Sequence, residues 1–168
     1  MDLKRKCIVA SAVTVALATV VLLSFLFQSP YLVLTNARSG EILMSARVSD
    51  DTEFRISYIH SVNISPVTEI FQVRQGAIVL DAVEFYTFGA GMPTMPEYGQ
   101  TLIYLPDGGM RIEGFDCVLD SLTLIIAHTA AHTLHVGSRE IPLQTLDSSG
   151  QSVRFEIVRQ NIWQSIRF

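Results

Sequence analysis

Two patterns of apolar residues divide the chain. The first is a run from Cys7 to Phe27 without a charged residue, and about twenty such residues suffice for a helix to cross a hydrocarbon core. After Pro30, short segments alternate between apolar and polar residues and are separated by Gly, Pro, Asn and Asp. Such alternation is typical of antiparallel strands. We therefore expect an all-β domain, an antiparallel β-sandwich or partly open barrel, following one N-terminal transmembrane helix.

The basic residues predict the orientation of that helix. Lys4, Arg5 and Lys6 precede the apolar run, and no Lys or Arg follows until Arg38, so the positive-inside rule places the N-terminus in the cytoplasm. The expected division is a cytoplasmic basic N-terminus (1–6), a signal anchor (7–27) and an all-β domain beyond the membrane (31–168). A cleaved signal peptide is the alternative, although the run is longer than a usual signal core and residues 27–30 lack a small-x-small site.

The domain contains three turn-rich segments between predicted strands. Asn36–Gly40, Pro106–Gly109 and Gly137–Ser138 each suit a hairpin connection. In the segment from Phe54 to His60, alternation places His60 at the end of a core-facing row. The same rule places Glu69 and Glu84 in rows that are otherwise apolar.

Charge and cysteine content exclude some classes of function. The net charge is -4, and the one basic cluster lies before the apolar run, so nucleic-acid binding is not expected. Cys7 and Cys117 fall in different regions, so no disulfide framework is implied. Because free cysteine is commonly buried, we expect Cys117 to be buried and not to act as a nucleophile.

Polar groups are concentrated between His60 and Glu69. If the flanking strands form a hairpin, His60 and Glu69 stand near each other, and the carboxylate would orient the imidazole and raise its pKa. One interpretation is a site for a small anion or a partner backbone. The alternative is that these groups satisfy the backbone of the loop. The candidate residues are His60, Ser61, Asn63, Ser65, Pro66 and Glu69, together with Glu84.

A glycine-rich segment follows the strand that contains Glu84. Gly89 and Gly91 offer backbone amides unshielded by side chains, which a ligand or another chain could approach closely. A strained corner is an equally good interpretation. Met92 and Pro93 continue into an irregular stretch up to Gly99 that could form an adaptable lip, since methionine adapts to varied surfaces.

Catalytic and metal-binding patterns are weak. His128, His132 and His135 would align on a helix, but the surrounding residues favour strands, in which His135 faces away from His132. A catalytic group could be assembled from Ser61 or Ser65 with a histidine and Asp81 or Asp120, but no nucleophile elbow supports it. We expect no enzyme activity, no cofactor and no metal.

Three segments together resemble a known family. They are Tyr58 to Val62, Ser65 to Glu69, and Phe88 to Pro93, and their combination is similar to the signature of bacterial domain-of-unknown-function family 1850. The resemblance covers about Tyr31 to Glu156. It implies a small protein with one membrane segment, often encoded beside tripartite ATP-independent periplasmic (TRAP) transporters of the TAXI type. The motif residues map here to His60, Ser61, Pro66, Glu69, Gly89, Gly91 and Pro93.

The resemblance sharpens the functional hypotheses. The first is a protein of the bacterial inner membrane, with its domain in the periplasm, that binds the permease or the periplasmic substrate-binding protein of a TAXI-type TRAP transporter. The expected contacts are the His60–Glu69 loop and the Gly89–Gly99 lip. The second is a periplasmic domain that binds or senses a small carboxylate ligand, and the third is a hydrolase of unknown substrate.

Overall fold

The structure, a computed structural model, describes residues 3–26, 28–89, 91–92, 95–148 and 150–161. It begins with a helix, α1 (Leu3–Leu26), which is followed by strands in the rest of the described chain, apart from one short 3-10 turn. Among the described residues, no helix combines the length and the apolarity required to span a membrane. The predicted anchor at 7–27 thus stays a prediction, and its last residue, Phe27, lies outside the described residues, as does the C-terminal tail from position 162.

Eleven strands are described after the helix, and all their pairings are antiparallel. They form a four-stranded sheet in the order β2-β1-β11-β8 and a seven-stranded sheet in the order β10-β9-β3-β4-β5-β7-β6. Within the described residues neither sheet closes on itself, so the predicted all-β class is confirmed as two open antiparallel sheets. The strands are β1 (Gln28–Asn36), β2 (Ile42–Arg47), β3 (Glu53–Ile59), β4 (Pro66–Arg74), β5 (Ala77–Phe85), β6 (Thr101–Tyr104), β7 (Met110–Leu119), β8 (Leu122–Ile125), β9 (Thr133–Val136), β10 (Arg139–Pro142) and β11 (Ser152–Asn161).

Apolar residues from both sheets share one core. Leu34 of β1 and Phe155 of β11 are fully buried in the same cluster as Phe54 of β3 and Phe71 of β4. The rings of Phe54 and Phe71 stack with their centroids 5.1 Å apart. A second, smaller cluster around Phe85 covers the other part of the larger sheet. Alternation along the strands therefore positions the core as the sequence predicts.

The three predicted hairpins are confirmed. β1 pairs with β2, β6 with β7, and β9 with β10, each across one of the turn-rich segments. Asn36 shows why the first turn forms, because its side-chain oxygen accepts hydrogen bonds from the backbone N–H groups of Arg38 (2.9 Å) and Ser39 (2.8 Å). Side-chain acceptors of this kind stabilise turns.

The orientation predicted for Glu84 is wrong. In the pairing of β5 with β4, Leu80 and Ala82 oppose consecutive residues, so Asp81 is the extra residue of a bulge. A bulge reverses the faces of all the residues beyond it. Val83 and Phe85 therefore face the core, while Glu84 faces the other side of the sheet, within 3.7 Å of the Arg111 guanidinium.

The two ends of the larger sheet lie in different surroundings. Pro30, just beyond α1, and Gly76, in the turn between β4 and β5, line one groove. The loop at 60–65 joins the opposite ends of β3 and β4. Since β4 has nine residues, the two ends are separated by roughly 30 Å.

Candidate functional site

The loop at 60–65 is closed by its own backbone and by one imidazole. The His60 N–H donates to the Ser65 carbonyl, and the Ile64 N–H donates to the His60 carbonyl, each at 2.9 Å. His60 Nδ1 accepts hydrogen bonds from the N–H groups of Val62 and Asn63, both at 3.3 Å. His60 therefore orders this loop, as in the alternative interpretation from the sequence.

The expected contact between His60 and Glu69 is absent from the described hydrogen bonds and ion pairs. In the hairpin register Ile59 pairs with Pro66, whereas Glu69 pairs with Ile56. Glu69 thus lies three residue pairs away from the loop. Its carboxylate accepts a hydrogen bond from the Tyr58 hydroxyl at 3.3 Å.

Two hydrogen bonds join the loop to the segment after β5. Asn63 Nδ2 donates to the Gly89 carbonyl at 3.3 Å, and the hydroxyls of Ser65 and Thr87 lie 2.9 Å apart. Gly89 has a φ of 97°, a conformation that glycine adopts at little cost. We call residues 60–65 and 86–89 together the tip. The structure brings the two segments predicted from the sequence to one end of the larger sheet.

The tip exposes apolar side chains. Val62 and Ile64 are 70% and 73% exposed, and Phe88 is 45% exposed. Phe88 also packs edge-on against the buried Phe85 ring, with 5.6 Å between the centroids, which holds it at the surface. The sequence interpretation named polar groups of this loop and missed Val62 and Ile64. The sequence feature that could have identified them is the presence of two apolar residues in an otherwise polar turn.

Ile64 adds backbone strain to this exposure. Its φ is 47°, in the left-handed region that a β-branched residue rarely adopts. Neither burial nor backbone preference therefore accounts for isoleucine here. A costly conformation at an exposed apolar residue points to a role outside the domain's own stability.

The glycine-rich lip is only partly connected to the tip. The Met92 N–H donates to the Gly89 carbonyl at 3.0 Å, and the Met92 side chain packs against the smaller core cluster. Gly91 and Met92 line a cavity of about 540 Å³ with Met95, but neither His60 nor Glu69 is among its lining residues. A single cavity shared by His60, Glu69 and Gly91 is thus not observed among the described residues. Pro93 lies outside them.

A partly buried polar cluster lies beneath the tip, at Tyr58, Glu69 and His132. Glu69 pairs between Ile56 and Val83, which are both buried, and this burial raises the pKa of the Glu69 carboxyl. Burial, with the nearby Glu69 charge, also raises the pKa of Tyr58. The His132 ring lies 5.3 Å from the Tyr58 ring, and burial lowers the pKa of its imidazole. Its Nδ1 atom is buried and makes no hydrogen bond to another described atom.

The remaining candidates are dispersed. His135 Nε2 lies 2.9 Å from the Ser57 hydroxyl, on the face of β3 opposite to Tyr58, as alternation predicts. Within the described residues, no group of histidine, cysteine, aspartate or glutamate side chains is arranged to hold a metal ion. The expected burial of Cys117 is wrong, because it lies exposed on β7 beside the lip cavity.

Fold and site together define a two-sheet β domain with a loop-built apolar tip and a preceding helix. The family described as Domain of unknown function (DUF1850) matches residues 54–143, which is more than half of the 168 residues. The chain therefore belongs to the DUF1850 family. The match is narrower than the expected Tyr31 to Glu156, but it includes all three motif segments. No curated protein and no solved structure shows a significant match.

Proposed function

We propose that this chain is a membrane-anchored docking protein whose tip binds a component of a TAXI-type TRAP transporter in the periplasm. The observation that carries the proposal is Ile64, an exposed β-branched side chain held at a positive φ. Val62 and Phe88 also expose apolar side chains at the tip. Exposed apolar residues surrounded by polar groups commonly mark protein-binding surfaces.

Anchoring supports docking by raising the effective concentration of the tip near membrane partners. The proposed anchor is the uncharged run from Cys7 to Phe27 after three basic residues. β1 starts at Gln28, close behind this run, and the tip lies roughly 30 Å from the groove beside Pro30. With the proposed anchor in the membrane, a tip this far from the end of the anchor favours the periplasmic substrate-binding protein over the membrane-embedded permease as the first contact.

Co-purification from native membranes in a mild detergent tests this proposal. The tagged full-length chain should recover the transporter's binding protein or permease. A Val62→Asp, Ile64→Asp variant should lose that recovery while keeping its thermal stability, because both side chains are exposed. A Val118→Asp variant is the matched control, since Val118 is 65% exposed on β7 and outside the tip. Equal recovery by all three chains would refute the assignment of the tip.

A second candidate function is binding of a small carboxylate ligand. The observation that favours it is the buried His132 Nδ1 without a described partner, since buried polar groups are normally hydrogen-bonded. A panel of carboxylates should then raise the melting temperature of the full-length chain, and His132→Asn should abolish the increase. Unchanged melting temperatures across the panel would exclude this candidate.

A further inference from the structure

The cavity at the Gly89–Gly99 lip, the lip cavity, collects sulfur-containing side chains. It has a volume of about 540 Å³ and is lined by Met92, Met95, Glu97, Gln100, Phe115 and Cys117. The chain contains five methionines and two cysteines, and all except Met1 and Cys7 follow α1. Of the remaining five, Met44 and Met110 are buried in the core, and the other three line this cavity. All the sulfur of the domain outside its core therefore lies at one cavity.

The strand pairing turns the Cys117 side chain toward the lip. Cys117 pairs with Leu80 of β5, and directly paired residues of antiparallel strands have their side chains on the same face. Leu80 packs against both core clusters, so this is the core-facing side of the sheet. The Met92 side chain packs against the smaller of these clusters. The thiol and the Met92 thioether therefore lie on the same side of the larger sheet.

A close backbone contact holds the lip against β7. A Cβ atom at position 114 would lie 2.7 Å from the Gly99 carbonyl oxygen, and Gly114 has a φ of 85°. Glycine meets both requirements at little cost. The turn before this contact is closed by two hydrogen bonds, from the Gln100 N–H to the Glu97 carbonyl at 3.0 Å and from the Glu97 N–H to Gln100 Oε1 at 2.9 Å. One wall of the lip cavity is thus fixed three positions before Cys117.

The side chains of the lip cavity favour a soft metal ion. Thiolate and thioether ligands select Cu(I), whereas carboxylate, carbonyl and water ligands suit Mg²⁺, Ca²⁺ and Mn²⁺. The cavity offers one thiol and two thioethers against one carboxylate, that of Glu97. Like the rest of the described chain, it holds no metal-binding group of three histidine, cysteine, aspartate or glutamate side chains. The thioethers are therefore essential to any metal site here.

Two of the three sulfur-containing side chains can move without disturbing the core. Met95 is 76% exposed, although methionine commonly fills gaps in hydrophobic cores, and Cys117 is exposed as well. A methionine side chain has three rotatable bonds, which allows the sulfur of Met95 to turn toward those of Met92 and Cys117. The cavity leaves the space for this movement.

We propose that the lip cavity binds one Cu(I) ion through the sulfur atoms of Cys117, Met92 and Met95. The metal replaces the thiol proton, so one proton is released and no electron is transferred. The thiolate and Cu(I) have opposite charges, and the bound pair is neutral. The site requires neither the membrane anchor nor a transporter partner.

Competition for Cu(I) tests this site. The full-length chain, with Cys7→Ser so that Cys117 is the one remaining thiol, would be purified in a non-ionic detergent with ascorbate and titrated against the chromogenic Cu(I) chelator bicinchoninate. It should bind one equivalent. Loss of an outer-shell partner typically weakens metal binding by about 10–100-fold. Loss of a ligand should therefore weaken it by at least about 100-fold in Cys117→Ser and at least about 10-fold in Met92→Leu or Met95→Leu.

Met44→Leu is the matched control, because it makes the same substitution in the core away from the cavity. It should bind Cu(I) as the parent chain does, and all three methionine variants should stay folded in thermal melts, since the exchange conserves volume. X-ray absorption at the copper edge should show sulfur neighbours without nitrogen or oxygen.

Three results would overturn the site. They are full affinity in Cys117→Ser, full affinity in both Met92→Leu and Met95→Leu, and an equal loss in Met44→Leu. The second would mean that a thiol alone binds the ion. Because no transporter component enters the titration, failure here leaves the docking proposal intact, and failure of co-purification leaves the copper site intact.

Discussion

Replacing Ile64 by glycine should stabilise the domain and weaken docking at the same time. Ile64 has a φ of 47°, and an L-residue in the left-handed region costs about 1–2 kcal/mol. Glycine removes this cost, but it raises the entropy of the unfolded chain by about 0.5–1 kcal/mol. The net expectation is a gain of about 0.5–1 kcal/mol in the free energy of unfolding, a rise of roughly 1–4 °C in melting temperature.

Docking should change in the opposite direction. Complete burial of an isoleucine side chain contributes about 1.5–3 kcal/mol, and Ile64 is 73% exposed before any partner binds. Its loss should therefore cost about 1–2 kcal/mol of binding, or roughly 5- to 30-fold in Kd. The unfolding measurement is a thermal or urea melt of the full-length chain in detergent, and the binding measurement is a titration with the purified substrate-binding protein.

Gln75→Gly is the matched control for Ile64→Gly. Gln75 is also exposed at a positive φ of 53°, but it lies in the turn between β4 and β5, away from the tip. It should gain stability in the same way and leave docking unchanged. If Ile64→Gly destabilised the chain, or if it bound the partner as well as Gln75→Gly does, the link between backbone strain and docking would be refuted.

Three further predictions concern the groups at and below the tip. Burial raises the pKa of Glu69, so the folded chain holds the proton of this carboxyl more tightly than the unfolded chain does. The stability that this provides is complete below the unfolded carboxyl pKa and is lost as pH rises through the folded pKa. In urea melts, the Glu69→Gln variant should have the same free energy of unfolding as the parent chain below about pH 4 and a higher one near neutrality. The same difference at both pH values would contradict burial as the cause. Burial lowers the pKa of His132, so the stability contributed by its neutral imidazole is complete above about pH 6.5 and is lost as pH drops through the folded pKa. His132→Asn should reduce this loss of stability at acid pH. An unchanged decrease of stability at acid pH would contradict the prediction. His60→Ala should lower the free energy of unfolding by about 0.5–1.5 kcal/mol and speed hydrogen exchange of the Val62 and Asn63 amides. His60→Asn, whose amide oxygen can accept hydrogen bonds, should retain part of this protection. Unaltered exchange in both variants would show that His60 does not order the loop.

Local chemistry allowed much of the fold to be predicted from sequence. The turn at Asn36 forms through a side-chain acceptor that belongs to the turn itself. The alternation in β3 and β4 places Phe54 and Phe71 in the core because alternate residues of each strand face it. These features depend on neighbours in sequence, so sequence patterns contain them.

Non-local pairing limited what could be predicted about the site. The bulge at Asp81 depends on how β5 pairs with β4 and turns Glu84 to the opposite face. The hairpin register separates Glu69 from His60. The hydrogen bonds from Asn63 to Gly89 and from Ser65 to Thr87 bring together segments more than twenty residues apart. The sequence named both segments but not their contact. It also did not identify Val62 and Ile64, because their exposure depends on how the loop is folded.

Site-specific photo-crosslinking in native membranes tests the central claim most directly. A photoreactive amino acid would replace Val62 in the full-length chain, and another would replace Val118 as a control of similar exposure, 70% against 65%. The account predicts a crosslink from position 62 to the substrate-binding protein or permease of a TAXI-type TRAP transporter, and none from position 118. Crosslinks to those components from both positions alike, or from neither in membranes that contain the transporter, would contradict it.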